Sequence, residues 1–452
     1  MSQTTPVSPA EAQPLPVVAV IEPLERETIS RVAWRLLPLL IVGYFCNYLD
    51  RVNVGFAALT MNKAIGLSSA AFGFGAGMFF IGYLVFELPS NLILAKVGAR
   101  RWLARILFTW GIVSGLTAFV WNDWSFTGIR FLLGAAEAGF YPGIVLYLTW
   151  WFPSYYRARM VAFFMMAQPL SLIIGPVVSA WLLTLDGWLG FQSWQVLFLI
   201  EALPPIVMSF VFWKYLTDRP IDAAWLRPDQ REWLQRRLDS ENVQRETVHR
   251  YRLGEALINP RVWLFVVAYF GQGSVSMVVA LFLPQIIRSL GVSIQVTGFV
   301  SALPFVFGAV AMLYFSLRSD HTGSRLVYSV TALLVMTVGL ETCAFIGPSS
   351  PVLMTIALIV GVMGIQSFGP LFWPLPTAML SGFAAAGGIA LINSVGNISG
   401  FVAPWLFGAI KDASGGTDNY ALYVIAAIPL LGAAALLVAG HDRRQERIPQ
   451  HA

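Results

Sequence analysis

The chain has 452 residues, of which 57% are hydrophobic and 12% charged, and its formal net charge is +5. A soluble domain carries about 25% charged residues, so depletion on this scale excludes an ordinary soluble protein and points to a polytopic membrane protein. The excess of positive charge follows topology, as shown below, and is no sign of nucleic-acid binding.

Residues 1–30 contain Pro and Glu and lack a basic start followed by an apolar core, so they read as a disordered arm and not as a signal peptide. Apolar segments of spanning length, about 17–25 residues, then recur with short polar breaks. The first six fall near 33–58, 71–95, 103–121, 125–149, 160–185 and 193–216. The next six fall near 261–287, 294–316, 326–347, 352–378, 384–410 and 420–440. The expected fold is all-α, with twelve transmembrane helices in two pseudo-symmetric six-helix bundles. The expected division is an arm at 1–30, a bundle at 31–216, a linker at 217–259, a bundle at 260–440 and a tail at 441–452. Within the linker, Pro228-Asp229-Gln230-Arg231-Glu232-Trp233-Leu234 predicts a short amphipathic helix near 229–239.

Orientation follows from Lys and Arg. With both termini and the linker in the cytoplasm, 24 of the 29 basic residues lie on or near that side. Arg51 and Arg130 lie within helices, and only Lys63, Arg288 and Lys411 lie outside. The expected location is the inner membrane. The break after the second span reads Lys96-Val97-Gly98-Ala99-Arg100-Arg101, and the break after the eighth reads Asp320-His321-Thr322-Gly323-Ser324-Arg325. They occupy corresponding places in the two halves, each a Gly turn with cations. Two parallel six-helix halves with a midplane site between them are a transporter plan.

This organisation resembles the major facilitator superfamily over nearly the whole chain. Three stretches narrow the resemblance: Asn47-Tyr48-Leu49-Asp50-Arg51, the run from Arg130 through Glu137 to Gly143, and Glu201-Ala202-Leu203-Pro204. They are similar to the anion:cation symporter family, whose members move organic acids such as tartrate, phthalate, galactonate and hydroxyphenylacetate. One departure stands out. The superfamily's first-half loop carries Asp-Arg ahead of its Gly, where this chain has Ala95-Lys96; the second half keeps Asp320 but has His321.

The first span holds Asp50 beside Arg51 in hydrocarbon, where a charge at a helix centre costs roughly 2.5–3.5 kcal/mol by insertion scales. In the fourth span Arg130 and Glu137 are seven residues apart, on one face about 10 Å apart along the axis. Two cations from two helices then face one cavity at similar depth, and an Arg fork suits a carboxylate. The alternative is an interhelical ion pair, Asp50–Arg130 or Arg51–Glu137, that only holds helices together. An anion that takes over an Arg leaves that Arg's carboxylate partner readier to bind a proton. The resemblance implies such proton coupling and matches its carboxylates to Asp50 and Glu137.

Further mid-span polar groups complete the candidate set. Tyr83 and Glu87 share a face, Tyr48 lies three residues before Arg51, and Gln168 and Gln272 are mid-span. Asn393 and Asn397 lie four apart in a Gly-rich span, and Trp373 follows a Gly369-Pro370 break. Interhelical hydrogen bonding is the alternative for each. The candidate substrate-binding residues are thus Arg51, Arg130, Tyr48, Tyr83, Gln168, Gln272, Trp373, Asn393 and Asn397. Asp50 and Glu137 are the candidate proton carriers. Lys96, Gly98, Arg100, Arg101, Asp320, Gly323 and Arg325 are the candidate gating-loop residues. Glu201 reads as structural, beside a kink at Pro204-Pro205. Trp121, Trp124, Trp150 and Trp151 read as interfacial belt residues.

No enzyme is expected. His249, His321, His441 and His451 lie in loops or tails, with no membrane pair to hold haem or metal. No phosphate-binding Gly-Lys-Ser/Thr loop is present, so neither a cofactor nor ATP drive is expected. Cys46 and Cys343 read as buried small hydrophobes. The expected partners are a small organic anion, protons and the lipid bilayer, with no nucleic acid, for a monomer. The expected function is import of an organic carboxylate by proton symport, with a tartrate-like hydroxy-dicarboxylate favoured. A small aromatic acid, a sugar acid or an efflux antiporter of the same fold is the alternative.

Overall fold

A computed structural model describes residues 23–246, 258–379 and 383–440. Most of the expected N-terminal arm, part of the linker and the C-terminal tail lie outside the described residues. The described residues are nearly all helical and contain no strand. The first bundle comprises α1 (Pro23–Ile65), α2 (Ser69–Val97), α3 (Ala99–Leu116), α4 (Asp123–Glu137), α5 (Phe140–Thr149), α6 (Ser154–Met165), α7 (Ala167–Leu182), α8 (Ser193–Glu201) and α9 (Leu203–Tyr215). The linker helix is α10 (Pro228–Glu246). The second bundle comprises α11 (Pro260–Arg288), α12 (Ile294–Thr322), α13 (Arg325–Ile346), α14 (Pro351–Phe372), α15 (Pro374–Met379), α16 (Phe383–Asn397), α17 (Ser399–Ala413) and α18 (Asp418–Ala439).

Among the described residues, eleven helical segments are long and apolar enough to cross a membrane. The twelfth expected span is α16 and α17, each too short alone, which abut at Ile398. The protein is a multi-pass membrane protein. The expected arm through residue 30 ends earlier than the sequence suggests, because α1 starts at Pro23. Thr28 and Ile29 are buried, and Tyr156 Oη donates to Glu25 at 3.0 Å, which holds that first turn. Trp151 departs from the expected interfacial position. It is fully buried and stacks on Trp225 at 5.4 Å, so it is not a belt residue. Trp121 and Trp124 are exposed, as a belt requires.

Five expected spans are interrupted, at Ala138-Gly139, Met166, Ala202, Trp373 and Ile398. Met166, Ala202, Trp373 and Ile398 keep helical angles, so these are local adjustments of the ladder. Three of them adjoin prolines (Pro169, Pro204-Pro205 and Pro374), which lack the amide that a continuous helix needs. Ala138-Gly139 is a true break. Ala138 is extended, and Gly139 has φ +86°, a conformation that glycine adopts without Cβ strain. A side chain there would also meet Ser90 Oγ at 2.3 Å.

The linker helix lies on the first bundle. Leu234 and Leu238 are buried, Arg31 donates to Gln230, Arg227 pairs with Glu27 at 2.9 Å, and the Ser154 amide donates to Glu241. The linker helix thus marks one end of the molecule. The two bundles meet toward the other end, along α2 and α17, α7 and α12, and α1 and α11. There Gly73 of α2 lies against the Pro404 carbonyl, where a Cβ would fall 2.1 Å away. Asp412 of α17 accepts from the Ser69 and Ala70 amides that open α2, at 3.0 and 2.7 Å. A carboxylate at a helix N-terminus satisfies amides that the helix leaves free.

Candidate functional site

A cavity lies between the bundles. Tyr48, Arg51, Phe79, Phe80, Arg130 and Gln168 line it from the first bundle, and Ser276, Met277, Phe305, Ile365 and Gln366 from the second. Its volume is ≈ 40 Å³, enough for a few waters. An organic acid enters such a space only if its walls move.

Arg51 and Glu137 form an ion pair. Glu137 Oε1 accepts from Arg51 Nε at 2.8 Å and from Nη2 at 2.5 Å. Glu137 is fully buried, and among the described residues Oε2 has no hydrogen-bond partner. Glu137 also ends α4, where free carbonyls give the helix terminus negative character. The break at Gly139 therefore places an acid where the dipole disfavours its charge, and Arg51 offsets both. Three rings surround the Arg51 guanidinium: Tyr48, Phe79 and Tyr83, at 5.4, 5.3 and 5.2 Å. Such contacts stabilise a desolvated cation.

Arg130 is different. It is 2% exposed, its guanidinium lies 5.1 Å from the Phe79 ring, and its Nε has no hydrogen-bond partner. Among the described residues no carboxylate lies within ion-pair distance of it. A buried cation without a partner is costly, and this one faces the cavity.

Asp50 does not join this set. It is 2% exposed and faces α3. Trp110 Nε1 donates to Oδ2, while Ser114 Oγ and Asn53 Nδ2 donate to Oδ1 at 2.8 and 3.0 Å. Consecutive helical residues point about 100° apart, so Asp50 and Arg51 cannot both face the cavity. Neither expected Asp50–Arg130 pairing nor a four-residue set facing one cavity forms here.

The other candidates divide. Tyr48 and Gln168 line the cavity, and Tyr83 reaches it through Arg51. Gln272, Asn393 and Asn397 are half-buried and outside its lining. Trp373 packs on Tyr269 at 5.0 Å. In the loops, Gly98 has φ +96°, and Lys96 and Arg101 are exposed. The first-half loop lacks its own acid but has a substitute: Asp218, after α9, accepts from the Arg100 amide at 2.8 Å beside Gly98. In the second half Asp320 pairs with Arg325 at 3.0 Å, next to Gly323 with φ +64°.

Sequence reasoning missed Asn53, Trp110, Ser114, Phe79, Ser276, Gln366 and Asp218. Two signals were available. Asn53 lies three residues after Asp50, and Ser114 four after Trp110, so each pair shares a helix face. For Gln366 and Ser276 no sequence pattern distinguishes them from other mid-span polar residues.

Arginines lining a small cavity between two helical bundles fit the plan of a membrane transporter. The profile of the Major Facilitator Superfamily matches residues 40–404, and the chain belongs to that superfamily; it is a transporter, not an enzyme. It is 46% identical over 419 residues to a protein of Agrobacterium vitis named "Putative tartrate transporter", covering 93% of this chain and 92% of that one. It is 37% identical over 413 residues to a protein of Acinetobacter baumannii named "Quinolone resistance transporter", covering 90% of this chain and 94% of that one. Among solved structures, a D-xylose-proton symporter shares the fold with a TM-score of 0.72 at 14% identity, over 92% of this chain and 98% of the other.

Proposed function

We propose that the protein imports an organic carboxylate, a tartrate-like hydroxy-dicarboxylate, together with protons across the inner membrane. One observation carries the reading: Arg130 is a buried cation with no carboxylate partner among the described residues, on the wall of a cavity between the bundles. A carboxylate offsets its charge, and a second carboxylate competes with Glu137 for Arg51. Glu137 then loses its partner and takes a proton, so acid and proton bind together. Asp50 is the second proton carrier and takes up its proton when its hydrogen-bond cage opens. Tyr48, Tyr83 and Gln168 orient the acid, and Gln272, Trp373, Asn393 and Asn397 join from the second bundle as the cavity widens. The similarity to the Agrobacterium vitis protein supports tartrate as the acid.

The halves are 31–216 and 260–440, joined by a linker at 217–259, in a monomer. The bias of Lys and Arg supports placing the linker and both termini in the cytoplasm. Contact between the bundles at the opposite end then belongs to a state closed to the outside. The loops at Lys96, Gly98, Arg100 and Arg101, and at Asp320, Gly323 and Arg325, gate the cytoplasmic side, with Asp218 supplying the first loop's acid. Uptake of labelled tartrate into proteoliposomes tests the proposal. An acidic exterior is expected to drive accumulation, and uptake indifferent to the proton gradient would refute symport. The similarity to the Acinetobacter baumannii protein favours a second reading, efflux. Proton-driven accumulation of a quinolone in inverted vesicles, without tartrate uptake, would select it.

A further inference from the structure

Glu201 lies outside the charge set around the cavity. It ends α8 and is 3% exposed. Its Oε1 accepts from Ser179 Oγ of α7 at 2.8 Å, and its Oε2 has no hydrogen-bond partner among the described residues. The titratable groups that face it are Asp50 and Cys46, both on α1, and neither is a cation. No Lys or Arg among the described residues pairs with it. As an anion, Glu201 would thus hold a buried charge with one donor and an acid for a neighbour, which is among the costliest arrangements in a protein interior.

Asn53 connects the two acids. Its Nδ2 donates to Asp50 Oδ1 at 3.0 Å, and its side chain also approaches Glu201. Its Oδ1 is buried and has no hydrogen-bond partner among the described residues. Glu201 Oε2 and Asn53 Oδ1 are thus orphaned acceptors on two side chains that approach each other, and buried acceptors are rarely left so. Reversing the Asn53 amide would only turn an acceptor toward Asp50. One hydrogen on Glu201 satisfies both atoms. Asp50 needs none, since three donors already surround it.

We propose that Glu201 is a buried protonation site: in this conformation Oε2 carries a proton and donates it to Asn53 Oδ1, while Asn53 Nδ2 donates to ionised Asp50. The amide makes the two acids exclusive. If Asp50 takes a proton, its hydroxyl needs an acceptor; Asn53 rotates to present Oδ1 to it, and Nδ2 turns to Glu201, which then releases its own proton. One proton is thus shared between two carboxylates, and total charge is conserved. This site does not depend on which acid the protein carries.

Infrared spectroscopy of the full chain in nanodiscs, without substrate and at neutral pH, tests it. A protonated-carboxyl C=O band that shifts in D2O is expected in the wild type. Glu201→Gln is expected to abolish it and Asp50→Asn to retain it. The absence of the band in the wild type, its survival in Glu201→Gln or its loss in Asp50→Asn would overturn the proposal. If Glu201→Gln does not fold, Asn53→Ala is the second variant. It removes the acceptor, so the band must move to higher frequency, and an unmoved band counts against the site. Thermal unfolding in sodium against choline chloride supplies a further arm: sodium stabilisation that requires Glu201 would assign a metal cation in place of the proton.

Discussion

The carboxylate of Asp412 accepts the backbone amide of Ala70 at 2.7 Å across the division between the two bundles. Its other oxygen accepts from Ser69 at 3.0 Å. The acid belongs to one half and the helix N-terminus to the other, so separating the halves at this end breaks both bonds. Asp412→Asn keeps the shape but removes the charge and one acceptor. Loss of a helix cap costs about 1 kcal/mol, a shift of about fivefold in a two-state equilibrium. Labelling of a cysteine in place of Phe282, which packs on Phe72 of the other bundle, should rise by about that factor. Unchanged labelling would show that this cap does not hold the end closed.

The two arginines should respond oppositely to removal. Arg51→Ala leaves Glu137 buried without its partner, and breaking a buried pair costs about 3–5 kcal/mol. A large fall in melting temperature is expected, largely restored by adding Glu137→Gln. Arg130→Met removes a cation that has no carboxylate partner among the described residues, so the ligand-free protein should be as stable as wild type or more so. It should lose all stabilisation by tartrate in a thermal-shift assay. Equal destabilisation by the two changes would contradict the pairing described here.

Glu137→Gln tests the linkage of proton and acid. It frees Arg51 without emptying the space. Tartrate binding should become as tight as or tighter than in wild type and lose its pH dependence. Exchange across the membrane should continue, while accumulation driven by a proton gradient should cease. Scintillation proximity binding and counterflow in proteoliposomes separate these outcomes. Retained proton-driven accumulation would move the coupling away from Glu137.

Gly139→Ala probes the break that positions Glu137. A residue with Cβ at φ +86° pays roughly 1–2 kcal/mol, and Ser90 Oγ stands 2.3 Å from the new carbon. The variant should unfold several degrees below wild type. Pairing it with Ser90→Gly should recover the steric part and leave the conformational part.

The spans and their division into halves could be read because hydrocarbon imposes a length and an almost uniform composition. The arginines and Glu137 stood out for the same reason, since charge in that setting needs an explanation. Which charge pairs with which could not be read so far. Asp50 and Arg51 adjoin in the chain, yet one helical step turns the first toward Trp110 and the second toward Glu137. Periodicity gives that angle but not which neighbour waits on each side. Asp218 was hidden for another reason. The sequence shows a missing acid at Ala95-Lys96, and only folding brings a replacement from more than a hundred residues away.

The charged groups around the site also have an electrical meaning. Arg51 and Arg130 supply two positive charges, Asp50 and Glu137 two negative ones, and Glu201 adds none while it keeps its proton. A unit charge moved through a membrane potential of 100 mV exchanges about 2.3 kcal/mol with the field. These five groups together carry no net charge in the empty protein, so through them voltage should neither drive nor oppose its return. The current it passes should then be set by the acid and protons aboard alone.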